Sequence, residues 1–363
     1  TEFVDEAAVN TAKADLYNRY QWDIKQVTNN GASYALGTGS HNTVVGIIDT
    51  GVSTQHAALK ANLLGGENFT PDGPGGTIIP TDIEDKNGHG SHVAGNIAGN
   101  GRIMGIAPNV GFRSYRIFAA TGGSPSDRIL KAIVAAVRDD VDVISMSVGG
   151  YDAIAQVTWT DAETGKVYRL GSDVADFVAY KRAIQYAVSH NIVFVAAAGN
   201  DATDIANPVA VGAFLNAKYA SQGYTFGASR EVPGTLPGVV TVSALGPDKS
   251  LSSYSNYGPG AIDISAPGGD FKRYPAPDYY TDMNLSSYKN GGYVWMAGTS
   301  MATPKVSAVA ALIIDQAKAN GEKIKAAQVV AQLQQSSVDL GKPGYDPAYG
   351  YGMANAYYAL GGK

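Results

Sequence analysis

The feature that most limits what this chain can become is Thr43-Val44-Val45-Gly46-Ile47-Ile48. A strand with one wet face alternates apolar and polar residues, and this run does not. It reads as a strand covered on both faces, as in a parallel sheet between helical layers. The rest of the chain keeps that rhythm. Strands are expected over 112–118, 141–148, 192–198, 239–243 and 261–265. Helices are expected over 126–138, 173–189, 323–335 and 355–360, the first with Ile129, Ile133, Val134 and Val137 on one stripe. This β-α-β-α order predicts an α/β fold with a mainly parallel central sheet and helices on both faces.

Three stretches break the rhythm. Residues 151–171 read as a hairpin turning near Thr164-Gly165. Residues 201–236 are long and rich in small residues, and 268–293 are rich in Tyr, Pro and Asp. Residues 1–42 are polar, with a short helix expected around 5–17 and an irregular arm through Trp22, Ile24 and Val27 laid onto the body. No repeat or linker separates two cores, so 1–363 is read as one domain with 1–42 as its N-terminal arm.

Composition excludes several classes. A net charge of −5 over 363 residues offers no electrostatic footprint for nucleic acid. No apolar run reaches the length of a membrane span. There are no cysteines, which removes thiolate catalysis, disulfides and Cys-based zinc sites.

The chemistry-bearing residues sit at element ends. Asp49 closes the first strand in Asp49-Thr50-Gly51, where open α/β sheets place functional groups, although alone it reads first as a turn cap. The 65–88 segment, with Asp82, Glu84 and Asp85, reads as a solvated acidic loop. In Asn87-Gly88-His89-Gly90-Ser91-His92-Val93-Ala94-Gly95, the two histidines lack the His-Glu-x-x-His pattern of a zinc site. His92 reads as structural, and His89, framed by glycines, has the clearance of a reacting group. In Gly298-Thr299-Ser300-Met301-Ala302-Thr303-Pro304, the serine precedes an apolar helical run, with Pro304 expected in the first turn. Unpaired N–H groups there would stabilise an oxyanion. On its own this heptapeptide reads equally as a helix cap.

Together the segments resemble the subtilisin family of serine proteases. Their order, Asp…His…Ser, is the subtilisin order and differs from those of chymotrypsin-like enzymes and α/β-hydrolases. Residues 45–51, 89–95 and 298–304 resemble the family's aspartate, histidine and serine segments. Ala196-Ala197-Ala198-Gly199-Asn200 resembles the segment with the oxyanion-hole asparagine. The resemblance implies a subtilisin-like three-layer fold. It implies Ser300 as nucleophile, His89 as general base, Asp49 as its orienting acid and Asn200 as oxyanion donor. It also implies extended substrate between Gly122-Gly123-Ser124 and Ser147-Val148-Gly149, with Ala197 and Gly199 in the wall of the specificity pocket. Ordinary turn use is the competing reading for those glycines.

The chain departs from the family in two places. Many subtilisins hold a tight calcium with an aspartate after the catalytic one and a loop interrupting the histidine helix. Here Ala58 stands at that position and 98–102 is too short, so that site is expected to be absent; calcium in the long loops stays open, and no cofactor is needed for the chemistry. Lys305 stands where many relatives have His, with no catalytic consequence expected. The expected activity is serine endopeptidase acting on peptide or protein substrate, with a propeptide as partner during maturation and a monomeric, secreted or cell-surface mature form lacking its leader; intracellular is the alternative. A broad-specificity protease is favoured over a dedicated maturation protease such as one that processes leader peptides. A non-catalytic binding protein on the same fold is the remaining alternative. The 151–171 insertion is expected to flank the cleft.

Overall fold

The computed structural model describes residues 9–120 and 122–363. In chain order the strands are β1 Val44–Asp49, β2 Leu63–Asn68, β3 Gly111–Arg116, β4 Val143–Met146, β5 Gly150–Ala153, β6 Val157–Thr160, β7 Val167–Gly171, β8 Val193–Ala197, β9 Tyr224–Phe226, β10 Ser229–Val232, β11 Val239–Leu245, β12 Ile264–Pro267, β13 Asn284–Ser287 and β14 Tyr293–Met296. The helices are α1 Asp15–Tyr20, α2 Trp22–Val27, α3 His89–Ala98, α4 Ser126–Arg138, α5 Val174–Ser189, α6 Pro208–Lys218, α7 Thr299–Ala319, α8 Ala326–Gln335 and α9 Ala356–Ala359.

The central sheet has seven strands in the order β12-β11-β8-β4-β1-β3-β2, every pairing parallel. Successive side chains of a strand enter opposite layers. Val45 and Ile47 join a core with α2, α3, α7 and α8, while Ile48 joins a second core with α4 and α5. The same split separates Val143 from Ile144, and Val195 from Phe194. This two-sided burial is what the unalternating run at 43–48 requires.

Strand β1 lies between β4 and β3: the chain runs from β1 to β2 on one side and then crosses from β3 over β1 to β4 on the other. At such a switch point the carboxyl ends of neighbouring strands open a crevice. Asp49 ends β1, Ser147 follows β4, and Asn200 follows β8 shortly after its last residue, so all three stand at the same edge of the sheet.

Several expectations need correction. Residues 5–8 of the expected N-terminal helix lie outside the described residues; beyond them come a 3-10 turn at Thr11–Lys13 and then α1. The arm through Trp22, Ile24 and Val27 is helical, with Ile24 and Val27 fully buried. Val134 is 49% exposed, because the buried face of α4 uses Ile129, Ala132, Ile133, Ala136 and Val137 instead. The strand expected over 141–148 is the shorter β4, and that over 261–265 is displaced into β12. The 65–88 loop begins within the edge strand β2. The 201–236 stretch contains α6, whose N-terminus is capped by the Asn207 side chain, followed by β9 and β10. The hairpin in the insertion forms as β6 and β7, with β9 as third strand.

Among the described residues no helix is long and apolar enough to cross a membrane. Helix α3 runs without interruption, and Ala58 is buried.

Candidate active site

Asp49 is 1% exposed at the end of β1, and its Oδ1 accepts from His89 Nδ1 at 2.7 Å and from the Thr50 N–H at 2.7 Å. His89 opens α3. Gly88 before it has φ +113, and a Cβ there would stand 1.9 Å from the Tyr288 ring, so only glycine lets the chain pass. Burial opposes a charged His89 ring, yet the Asp49 charge and hydrogen bond, helped by Asp85, raise its pKa above the ordinary histidine value. With Nδ1 committed to Asp49, Nε2 is the edge left for a reacting proton.

Asp85 corrects the reading of a solvated acidic loop. It is 3% exposed. Its Oδ1 accepts from Thr50 Oγ1 at 2.9 Å and from the N–H groups of Asn87 and Gly88 at 2.9 and 2.7 Å. Its Oδ2 accepts from Ser91 N and Oγ at 2.9 and 2.6 Å. One carboxylate thus satisfies free donors at the start of α3 and ties them to the strand end that carries Asp49. His92 is structural, as expected. Burial first, then the nearby Lys305 charge, pushes its pKa down to about 3, and its Nε2 meets the Asn284 and Val294 carbonyls at 3.1 and 3.2 Å.

Ser300 is the second residue of α7. Its Oγ donates to the Ser147 carbonyl at 2.8 Å. Pro304 lies inside the helix rather than in its first turn. Proline has no N–H to bond the carbonyl four residues back, which is that of Ser300. The Ser147 hydroxyl takes that place, donating to the Ser300 carbonyl at 3.0 Å. The reciprocal pair fastens the serine turn to the segment after β4.

Asn200 is oriented by its oxygen. Oδ1 accepts from Thr299 N and from Thr299 Oγ1, both at 2.9 Å, so the carboxamide Nδ2 is free to donate elsewhere. Gly199 has φ +99, and a Cβ there would lie 2.4 Å from Asn256 Nδ2. Asn256, absent from the sequence reading, clamps this loop. It accepts from Asp201 N and Thr203 N at 3.1 and 3.0 Å and donates to the Ala198 carbonyl at 2.8 Å and to Tyr151 Oη at 3.1 Å.

A cavity of about 180 Å³ opens beside the serine. Ser147, Val148, Gly149, Ala197, Gly199, Asn200 and Ser300 all line it, as do Tyr151, Asp201 and Glu231, which carried no motif signal. Gly122, Gly123 and Ser124 form part of the loop before α4 and do not line this cavity; the two glycines are exposed. Of the 151–171 insertion only Tyr151 reaches it. The hairpin itself leans on the 219–226 segment, with Trp159 Nε1 donating to the Gln222 carbonyl at 3.0 Å. Among the described residues no group of three or more His, Asp or Glu side chains is placed to hold a metal.

Comparison with known proteins fits this geometry. The chain is 36% identical over 328 residues to the nisin leader peptide-processing serine protease of Lactococcus lactis subsp. lactis, an alignment covering 86% of this chain and 46% of that protein. It is 33% identical to the epidermin leader peptide-processing serine protease of Staphylococcus epidermidis, over 83% of this chain and 66% of the relative. The chain therefore spans about half the length of the first and just under two thirds of the second. The solved structure of the nisin leader peptidase from Lactococcus lactis superposes with a TM-score of 0.81 at 32% identity, covering 96% of this chain and 95% of the other. The subtilase family model matches residues 40–352, so the chain belongs to the subtilase family.

Proposed function

We propose that this chain is a serine endopeptidase dedicated to removing a leader segment from a precursor peptide. The observation that carries the chemistry is the 2.7 Å bond between His89 Nδ1 and a buried Asp49, at the sheet edge where Ser300 begins α7. In the reaction Ser300 Oγ leaves the Ser147 carbonyl and attacks the scissile carbonyl carbon while His89 Nε2 takes its proton. Asp49 holds the tautomer and stabilises the imidazolium. The oxyanion is received by Asn200 Nδ2 and the Ser300 N–H, at a helix start whose dipole favours negative charge. His89 then protonates the leaving amine, and water, deprotonated by the same imidazole, releases the acyl group from Ser300. Substrate backbone lies along Ser147-Val148-Gly149, with Gly122-Gly123-Ser124 as the opposing strand.

The sequence favours broad specificity, but likeness to two leader-processing proteases supports the dedicated alternative. The chemistry is tested with a fluorophosphonate probe. Labelling of the wild type that vanishes in Ser300→Ala is expected; an unlabelled wild type overturns the reading.

A further inference from the structure

A cavity of about 350 Å³ lies at the amino ends of β11 and β12, where Val239 opens the one strand and Asp263 immediately precedes the other. In this parallel sheet that is the edge opposite the one where Asp49, Ser147 and Asn200 stand. None of Asp49, His89, Asn200 or Ser300 lines the cavity. A mainly apolar cavity of about 360 Å³ adjoins it, and the two share Gly238, Val239 and Asp263. Val188, Ile192, Phe194 and Val330 line the apolar part. Each part is large enough for a small ligand.

The polar part carries one cation and one anion, neither of them paired. Arg230, on β10, is half-buried, yet its guanidinium has no ion-pair or hydrogen-bond partner among the described residues. Its cross-strand neighbour on β5 is Asp152, whose Oδ2 is itself without a partner. Asp263 Oδ2 accepts from the Thr241 N–H at 2.9 Å, and its Oδ1 accepts from no group among the described residues. The backbone fixes this carboxyl in place: Asp263 N donates to the Thr241 carbonyl at 3.0 Å, and the Asp263 carbonyl accepts from the Tyr351 N–H at 2.9 Å. Burial, working against the Thr241 N–H, pushes its pKa up to about 6, so at neutral pH it is largely ionised and gains from a nearby cation. No other charged residue among those described lines either part.

These groups call for a ligand of three parts. A carboxylate answers Arg230, an ammonium answers Asp263, and an apolar group fills the adjoining space. A simple anion meets the Asp263 charge, and a simple cation meets that of Arg230. A peptide with free ends and an apolar first residue carries all three parts. Its ammonium and its apolar side chain leave the same carbon, which matches Asp263 standing at the junction of the two spaces. We propose that the joined cavity is a second binding site of this chain, for short peptides with both termini free and an apolar residue first. One loop separates it from the cavity beside Ser300: Glu231 lines that cavity, and Gly234, Thr235 and Leu236 line this one. The site stands independently of the function proposed above.

The test is an NMR titration of the Ser300→Ala protein with the dipeptide Phe-Gly. Saturable binding is expected, weakened at least about tenfold when the amine is acetylated, when the carboxylate is amidated, or when Gly-Gly replaces Phe-Gly. Arg230→Gln and Asp263→Asn are each expected to weaken Phe-Gly by a similar factor. Amidation then costs nothing further in Arg230→Gln, because the group it removes has already lost its partner. Arg230 has no partner to lose on substitution, so the test stands on Arg230→Gln even where Asp263→Asn disturbs the fold. Absence of saturable binding overturns the proposal. So does binding that Arg230→Gln leaves unchanged, which places the peptide elsewhere, the cleft beside residue 300 included. A tenfold cost of amidation that persists in Arg230→Gln overturns it as well.

Discussion

Lys305 Nζ stands 2.8 Å from Asp23 Oδ2, and both side chains are fully buried. The lysine is on the serine helix and the aspartate on α2, so this ion pair is where the N-terminal arm grips the helix that carries Ser300. Lys305 Nζ also donates to Asn96 Oδ1 at 2.9 Å and to the Met301 carbonyl at 3.0 Å. It thereby joins the arm, the histidine helix and the serine helix at one atom. Lys305 is thus a structural anchor.

Breaking that pair leaves a buried charge alone. Lys305→Met is expected to cost about 3–5 kcal/mol of stability, and adding Asp23→Leu to recover much of the loss, because an apolar pair needs no compensation. Chemical denaturation of the two variants checks this. Equal stability of Lys305→Met and wild type contradicts it.

The raised His89 pKa sets the acidic limb of activity. For a substrate with a neutral side chain in the pocket, kcat/KM is expected to fall on acidification with a midpoint above about 6.5, the ordinary histidine value. Asp85→Asn removes a negative charge that favours the imidazolium, so the midpoint moves to lower pH. A pH–rate profile of the two enzymes reads the shift, and a midpoint unmoved or moved upward contradicts the role given to Asp85.

Asn200→Ala removes the side-chain oxyanion donor while the Ser300 N–H remains. Loss of the matching donor in a subtilisin lowers kcat about a hundred- to a thousandfold, and the same loss with little change in KM is expected here. Steady-state kinetics on a peptide substrate decides it; a change confined to KM contradicts the assignment.

Gly199→Ala places a methyl against Asn256 at a backbone angle that costs about 1–3 kcal/mol for a residue with a Cβ. Both stability and turnover are expected to fall, since Asn256 holds the loop that presents Asn200. Thermal unfolding with active-site titration separates the two effects, and an unimpaired variant contradicts the clamp.

The parts of the site legible in the sequence are those whose signal is local. Asp49 ends an unalternating strand, His89 is framed by glycines, and Ser300 precedes an apolar helix; each announces itself within a few residues. Asp85 is obscured because an acid among Gly, Pro and Asp reads as solvated, whereas its five bonds come from Asn87 and Gly88 just after it, from Ser91 on α3 and from Thr50 beyond the end of β1. Glu231 and Asn256 gave no signal because their partners lie across the fold: Tyr151 on a neighbouring strand, the Gly149 wall, and the loop after β8. Pro304 reads as a first-turn residue for a related reason. Its tolerance inside α7 depends on the Ser147 hydroxyl, which replaces the missing bond from another segment of the chain.

The dedicated-processing account is tested most directly by digesting a proteome-derived peptide library to completion and mapping every new terminus. It predicts cleavage at a small share of the available bonds, sharing one residue class before the cut and a recurrent pattern further upstream. Termini spread over many residue classes, with no upstream pattern, would contradict it and identify a broad protease built on the same site.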